Sequence, residues 1–268
     1  MGRSGADCTN ATARRSCLVL APHPDDETLG CGVTIMRKVE AGTPVQVVVV
    51  TDGSTYPPHK TAAQNIATRD AELRAACSVL GLDDRSIVHL SFPETQLHLA
   101  GDALVDAVSD LVKSASPDDV LVTSEADPHS DHAALGEATR RALAGTNVRL
   151  CVYPIWQWER PRSWIRTLQG SSRPERICTA GYLERKQRAI GAYVSQLSAS
   201  AGGELTGDYG LTPTFISRFM GSHEIFFPIP SGGLAVSTAG ARVRSRVGSR
   251  LGLWMASLIG ASAKGVTR

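Results

Sequence analysis

The sequence predicts an α/β fold: a Rossmann-like, doubly wound, mostly parallel sheet with helices on both faces, followed by C-terminal additions. Three observations predict it. Short, continuous apolar runs recur through residues 17–156, as in strands buried on both faces. Stretches of helical length separate the runs, so parallel strands joined by right-handed crossovers connect them. Polar residues close nearly every run, and in such sheets ligands gather beyond the carboxyl ends of the strands.

The elements follow in order. "CLVLA" (17–21) is the first strand, and "VQVVVVTDG" (45–53), rich in β-branched residues and closed by a turn signal, is the second. "SIVHLSF" (86–92), "DVLVTSE" (119–125) and "VRLCVYPIW" (148–156) complete the set. Helices are expected over 28–41, stopped by "AGTP", and over 62–80, where Ile66, Leu73, Cys77 and Leu80 share a face before Gly81. Two more are expected over 101–115 and 131–144. Beyond residue 156 the pattern weakens. "WQWERPRSW" reads as a loop over the crevice, 181–198 as a late helix, 199–213 as a Gly-rich loop, and "FPIPSGG" (227–233) as the edge of the main domain. The division expected is a flexible N-terminus (1–16), one domain (17–230) and a basic tail (231–268).

Composition narrows the function classes. The 268 residues suit one large α/β domain, and 42% hydrophobic with 20% charged residues is ordinary for a globular protein. No uninterrupted apolar stretch of spanning length occurs, and no apolar core follows the basic N-terminal residues, so neither a membrane span nor a secretory signal is read. Six cysteines at 8, 17, 31, 77, 151 and 178 form no C-x-x-C pair, which argues for a reducing, cytoplasmic setting. Net charge is +2, yet six Lys/Arg and no acids lie beyond residue 230, so the body is acidic and the tail basic. An acidic body without a reading motif disfavours nucleic-acid binding. In the tail, Val243, Val247, Leu251, Trp254 and Leu258 recur at helical spacing beside Arg242, Arg246 and Arg250. Peripheral contact with an anionic membrane at its inner face, docking on the domain, and disorder all remain open for this stretch, which Gly248 and Gly252 weaken as a helix.

The chemistry concentrates in two clusters. "VLAPHPDDETLGCG" (19–32) ends an apolar run in His23, Asp25, Asp26 and Glu27, whose carboxylates repel one another unless something positive holds them. "DPHSDH" (127–132) follows the fourth run. His23 and Asp26, three apart at a strand-to-helix turn, can point at one spot, and the two clusters together make a divalent-metal site of imidazoles and carboxylates. The plainer reading, a turn in which Asp26 caps the helix, weakens once both clusters fall at strand ends of one sheet.

These motifs resemble the LmbE-like (PIG-L) superfamily of metal-dependent N-deacetylases. "TDGS" (51–54), "TRDAELRAACSVLGL" (68–82) and "FPETQL" (92–97) extend the resemblance over about 17–155, with a looser echo in "ERKQRAIGAYVSQL" (184–197). The resemblance implies that His23, Asp26 and His132 ligate the metal, zinc with ferrous iron or another divalent ion as alternatives. It implies that Asp25 is the general base for the attacking water, that His129 steadies the oxyanion and can protonate the leaving amine, and that Asp131 orients His129. Arg69 and Glu94 would bind the substrate's polar part and its hydroxyls; a helix arginine paired with Glu72 and a polar loop acid are the alternatives. Glu27 favours the helix N-terminus and Asp52 supports a ligand or a loop. One departure stands out: "SEADPHSDH" lacks the tyrosine that thiol-cofactor-precursor deacetylases carry before the second cluster, and Tyr153 reads as core. The activity implied is hydrolysis of the acetamide of an N-acetylated amino sugar in a small glycoconjugate. Amide hydrolysis on a thiol conjugate or other non-sugar amide, and a non-catalytic membrane-associated binding protein, are the alternatives; homo-oligomerisation is left open.

Overall fold

A computed structural model of the chain describes residues 6–159, 173–197 and 210–230. Strands β2 (Cys17–Ala21), β3 (Val45–Thr51), β4 (Ile87–Phe92), β5 (Asp119–Thr123) and β6 (Arg149–Tyr153) are the five apolar runs of the sequence. All pair in parallel, in register such as Val19↔Val47 and Leu121↔Cys151. The connecting helices are α2 (Asp26–Glu40), α3 (Ala62–Leu80), α4 (Asp102–Ala115) and α5 (Ser130–Ala142). A capping box between Thr61 and Gln64 starts α3, and Gly81, at φ 97°, ends it in the left-handed conformation a glycine takes without strain.

The alternation within each strand sorts two cores. Val19, Ala21, Val47 and Val49 face α2 and α3. Leu18, Leu20, Val48, Val50, Val120 and Val122 face α4 and α5. A strand apolar at every position is what a sheet covered on both sides requires. Ile66, expected on the buried face of α3, is instead 40% exposed, whereas Leu73, Cys77 and Leu80 are fully buried.

Three strands went unforeseen. Among the described residues the sheet has eight strands in the order β1-β7-β8-β6-β5-β2-β3-β4, with β1 at Ala6–Asp7, β7 at Glu175–Cys178 and β8 at His223–Ile229. β8 runs antiparallel between β6 and β7. The expected domain edge at 227–233 thus begins inside a strand; Pro228 is tolerated there because β7 pairs only as far as Phe226. Within the expected N-terminal segment, β1 pairs with β7, and α1 (Thr9–Ala13) follows it. Lys38 holds this segment by donating from Nζ to the Thr12 and Arg15 carbonyls. The late helix is shorter than expected, α6 at Leu183–Gly191, and a short α7 (Pro213–Ser217) precedes β8. Trp156, in the aromatic segment after β6, stacks on Phe215 of α7. The basic tail lies outside the described residues, and among these no helix is long and apolar enough to cross a membrane.

Candidate active site

The chain winds outward from β2 through β3 to β4, then returns to place β5 on the other side of β2. The crevice at that reversal is where such sheets bind ligands. Loop 22–25 after β2 and loop 124–129 after β5 open side by side there, so the two sequence clusters meet. His23 Nδ1 and His132 Nε2 are 3.1 Å apart. Asp26 Oδ2 lies 3.3 Å from the first and 3.2 Å from the second. Ligand atoms about 2.1 Å from one ion at a tetrahedral angle are about 3.4 Å apart, so this triangle has the size and donor types of a three-ligand metal site. The His129 ring joins it: one ligand atom from each of His23, His129 and His132 falls within 4.8 Å of the others.

The electrostatics point the same way. Burial disfavours charging His132, but the Asp26 and Asp127 carboxylates outweigh it and lift its pKa to about 10. Burial likewise opposes a charge on His23, and Asp131 and Asp26 more than offset it, raising its pKa. Burial would raise Asp26, yet His132 and His23 hold it well below the usual carboxylate range. The cluster therefore draws positive charge to itself.

Asp25 occupies the N-cap position of α2 at φ 131°, strained for a residue with a side chain. Neither it nor Asp26 caps the helix: Asp25 makes no side-chain capping bond, and Asp26 Oδ2 accepts from the His23 amide. Burial and the neighbouring Asp26 raise the Asp25 pKa well above the usual carboxylate range, with Arg69, 3.8 Å away, pulling the other way. Glu27 sits in the first turn of α2, at the helix N-terminus as expected. It is fully buried, takes the Asp25 amide at Oε2 (3.1 Å), and accepts from Thr28 Oγ1 and from the Tyr193 hydroxyl.

His129 accepts at Nδ1 from the Asp131 amide (3.2 Å), which leaves the ring proton on Nε2. Burial and the neighbouring His132 and His23 lower its pKa to about 4, so it is a neutral donor at pH 7. Asp131 requires a correction. Its carboxylate does not orient His129; it accepts from His23 Nε2 (3.1 Å) and from the amides of Thr95 (2.7 Å) and Leu97 (3.2 Å). Only its backbone meets His129.

Arg69 and Glu94 pair with each other, Nη1 to Oε1 at 2.7 Å, and both are buried. Arg69 Nη2 also donates to the Pro24 carbonyl, and Glu94 Oε2 accepts from the Thr55 amide and hydroxyl. Glu72 is not the partner of Arg69; it receives the Ser195 amide and hydroxyl. Asp52 supports loops, accepting from the amides of Ser54 and Glu94. A cavity of about 360 Å³ adjoins Pro24, lined also by Asp52, Ile66 and His89. Tyr153 is core: its hydroxyl donates to the Leu20 carbonyl, and its ring fills the space above Gly30, where a Cβ would come within 2.3 Å of Cδ2. Tyr193 and the Thr95 and Leu97 amides were missed. Tyr193 lies in the "AYVSQL" echo, which is the signal that could have found it; backbone amides leave no trace in a sequence.

A mostly parallel sheet with an imidazole–carboxylate triangle at its switch point places this protein among α/β folds whose candidate site could hold a metal ion. The chain belongs to the PIG-L (LmbE-like) family, the N-deacetylases: the family model described as GlcNAc-PI de-N-acetylase matches residues 18–143. An uncharacterized deacetylase, YaiS, of Escherichia coli (strain K12) is 30% identical over 59% of this chain and 80% of its own length. A probable N-acetyl-alpha-D-glucosaminyl L-malate deacetylase 2 of Bacillus anthracis is 29% identical over 48% of this chain, which spans 60% of that relative. The fold matches the N,N'-diacetylchitobiose deacetylase of Pyrococcus horikoshii with a TM-score of 0.62 at 21% identity, over 84% of this chain and 88% of that one. It also matches GalB, a 4-carboxy-2-hydroxymuconate hydratase of Pseudomonas putida, with a TM-score of 0.58 at 16% identity, over 80% and 95%. The fold alone does not select the reaction.

Proposed function

We propose that this chain is a metal-dependent N-deacetylase that hydrolyses the acetamide of an N-acetylated amino sugar in a small glycoconjugate, releasing acetate and a free amine. The observation that carries this reading is the 3.1–3.3 Å triangle of His23, Asp26 and His132, with Asp25 beside it. Those three residues would hold the ion. A bound zinc, or ferrous iron in its place, supplies Lewis-acid polarisation and lowers the pKa of water from about 15.7 towards about 7. Asp25, its proton affinity raised by burial, takes the proton of the attacking water. His129, neutral and protonated at Nε2, donates to the oxygen that gains charge, and the proton that Asp25 took from the water is the one passed on to the departing nitrogen. The buried Arg69–Glu94 pair braces the loops at Pro24 and Thr55, against which the sugar's polar part would bind. The amino-sugar substrate class rests on relatives whose names specify GlcNAc derivatives. The six free cysteines accord with a reducing, cytoplasmic setting.

The test is acetate release from a panel of GlcNAc glycosides differing in aglycone, beside N-acetylated thiol conjugates, with the protein metal-loaded. Turnover confined to the sugars supports the proposal. Turnover confined to the thiol conjugates replaces it with the non-sugar amidase reading. Stoichiometric metal with no turnover on either favours a binding protein.

A further inference from the structure

Side chains around the site close into a ring of hydrogen bonds. It begins at His23, whose Nε2 faces Asp131 Oδ2 at 3.1 Å. The same oxygen accepts the Thr95 amide at 2.7 Å, and Oδ1 accepts the Leu97 amide at 3.2 Å. Next to Thr95 stands Glu94, held by Arg69 at 2.7 Å. Arg69 then donates 2.9 Å to the carbonyl of Pro24, the residue after His23. The ring thus leaves the motif loop at residue 23 and re-enters it at residue 24. Asp131 is fully buried. Thr95, at φ 68°, sits in the left-handed region that a β-branched side chain avoids, so the loop needs its anchors to keep this shape.

We propose that Asp131 is a positioning residue that couples occupancy of the metal site to the conformation of the loop 94–97, the loop carrying the candidate hydroxyl-binding carboxylate. The inference rests on the metal reading above. An ion taking the lone pair of His23 Nδ1 leaves Nε2 protonated, and Asp131 Oδ2 is the acceptor in line with it. Fixing that carboxylate fixes the acceptor for Thr95 and Leu97. Linkage makes the effect reciprocal: a glycoside that binds the ordered loop tightens the metal, and the metal tightens the glycoside by the same factor. Asp131→Asn keeps the shape but replaces one of two accepting oxygens with an NH2, so in either orientation of the amide at least one of the His23, Thr95 and Leu97 donors faces another donor.

The experiment uses the full chain, stripped by chelation and titrated with zinc alone. Amide hydrogen exchange is read at Thr95 and Leu97 with and without zinc, and zinc affinity is measured for the wild type and for Asp131→Asn. Zinc is expected to slow exchange at both amides about tenfold or more in the wild type. Asp131→Asn is expected to weaken zinc about 10–100-fold and to abolish the zinc-dependent protection. Tight zinc binding by the wild type with unchanged exchange at both amides overturns the coupling while leaving the metal reading intact. So does an Asp131→Asn protein that keeps wild-type affinity. A wild type that binds no zinc overturns the metal reading and the coupling with it.

Discussion

His23 Nδ1 and His132 Nε2 face each other nitrogen to nitrogen at 3.1 Å, across 109 residues of sequence. Two ring nitrogens hold that separation favourably only with a proton or a cation between them. In the metal-free protein both imidazoles have raised pKa values, that of His132 to about 10. The neighbouring carboxylates thus favour a proton at this pair of nitrogens, and a metal must displace it. Metal affinity is expected to rise with pH from 6 towards 9, with proton release on binding. Calorimetry in buffers of different ionisation enthalpy measures the protons directly. A pH-independent affinity would remove the imidazoles from the ligand set, and so would stoichiometric metal in His132→Ala.

Asp25 combines strain with a disfavoured charge, and the two effects separate by substitution. Asp25→Ala is expected to keep the metal and lose about 10²–10⁴-fold in kcat, the range for a missing general base. Asp25→Gly goes further. Glycine adopts φ 131° freely, and removing a buried carboxylate whose pKa is raised ends its destabilising ionisation at neutral pH. That variant is expected to be inactive yet more stable by about 1–3 kcal/mol, measured by denaturant unfolding of the metal-free protein. Near-native turnover in either variant would refute the base assignment.

How much of this was legible follows from where the signals lie. The strands β2 to β6 were readable because burial on both faces leaves continuous apolar runs, and their ends then located His23, Asp26 and His132. The strands β1, β7 and β8 were not. β1 has two residues, "ERIC" in β7 is two charged residues followed by two apolar ones rather than an alternation, and β8 contains Pro228; their pairing is long-range and leaves no local period. Asp131 shows the same limit within the site. Its place two residues from His129 says nothing of which way a first-turn side chain of a helix points, and it turns to His23. Arg69 had Glu72 one helical turn away, but its long side chain reaches the β4 loop instead.

Glu94 gives a pH prediction on stability. Burial would raise its pKa, but Arg69, His23 and the Thr55 hydrogen bonds prevail and lower it below the ordinary value of 4.5. A depressed folded-state pKa stabilises the protein above the unfolded value, and that contribution is lost as pH falls through the folded one. The wild type should therefore lose stability below about pH 4.5 more steeply than Glu94→Gln. Unfolding midpoints of the metal-free proteins between pH 6 and pH 3 check it; parallel curves would show that Arg69 does not hold Glu94 in solution.

Lys186 and Glu224 form a buried ion pair, and their contacts explain why removing one should be worse than removing both. Lys186 is 0% exposed and its Nζ donates 2.7 Å to the Leu29 carbonyl and 2.7 Å to Glu224. Glu224 in turn accepts the Val33 and Thr34 amides from the middle of α2, the helix whose first residue is Asp26. Lys186→Met leaves a carboxylate buried without its cation and a helix carbonyl without its donor. A loss of about 3–5 kcal/mol in unfolding free energy is expected. Lys186→Met with Glu224→Gln removes both charges while the glutamine oxygen still takes one helix amide, so a substantial part of that loss should return. Because the pair holds α2 from the side, zinc affinity should fall with Lys186→Met and recover with the double variant. Additive losses in the two single variants would show that the pair is not coupled, and that α2 is held by its apolar face alone.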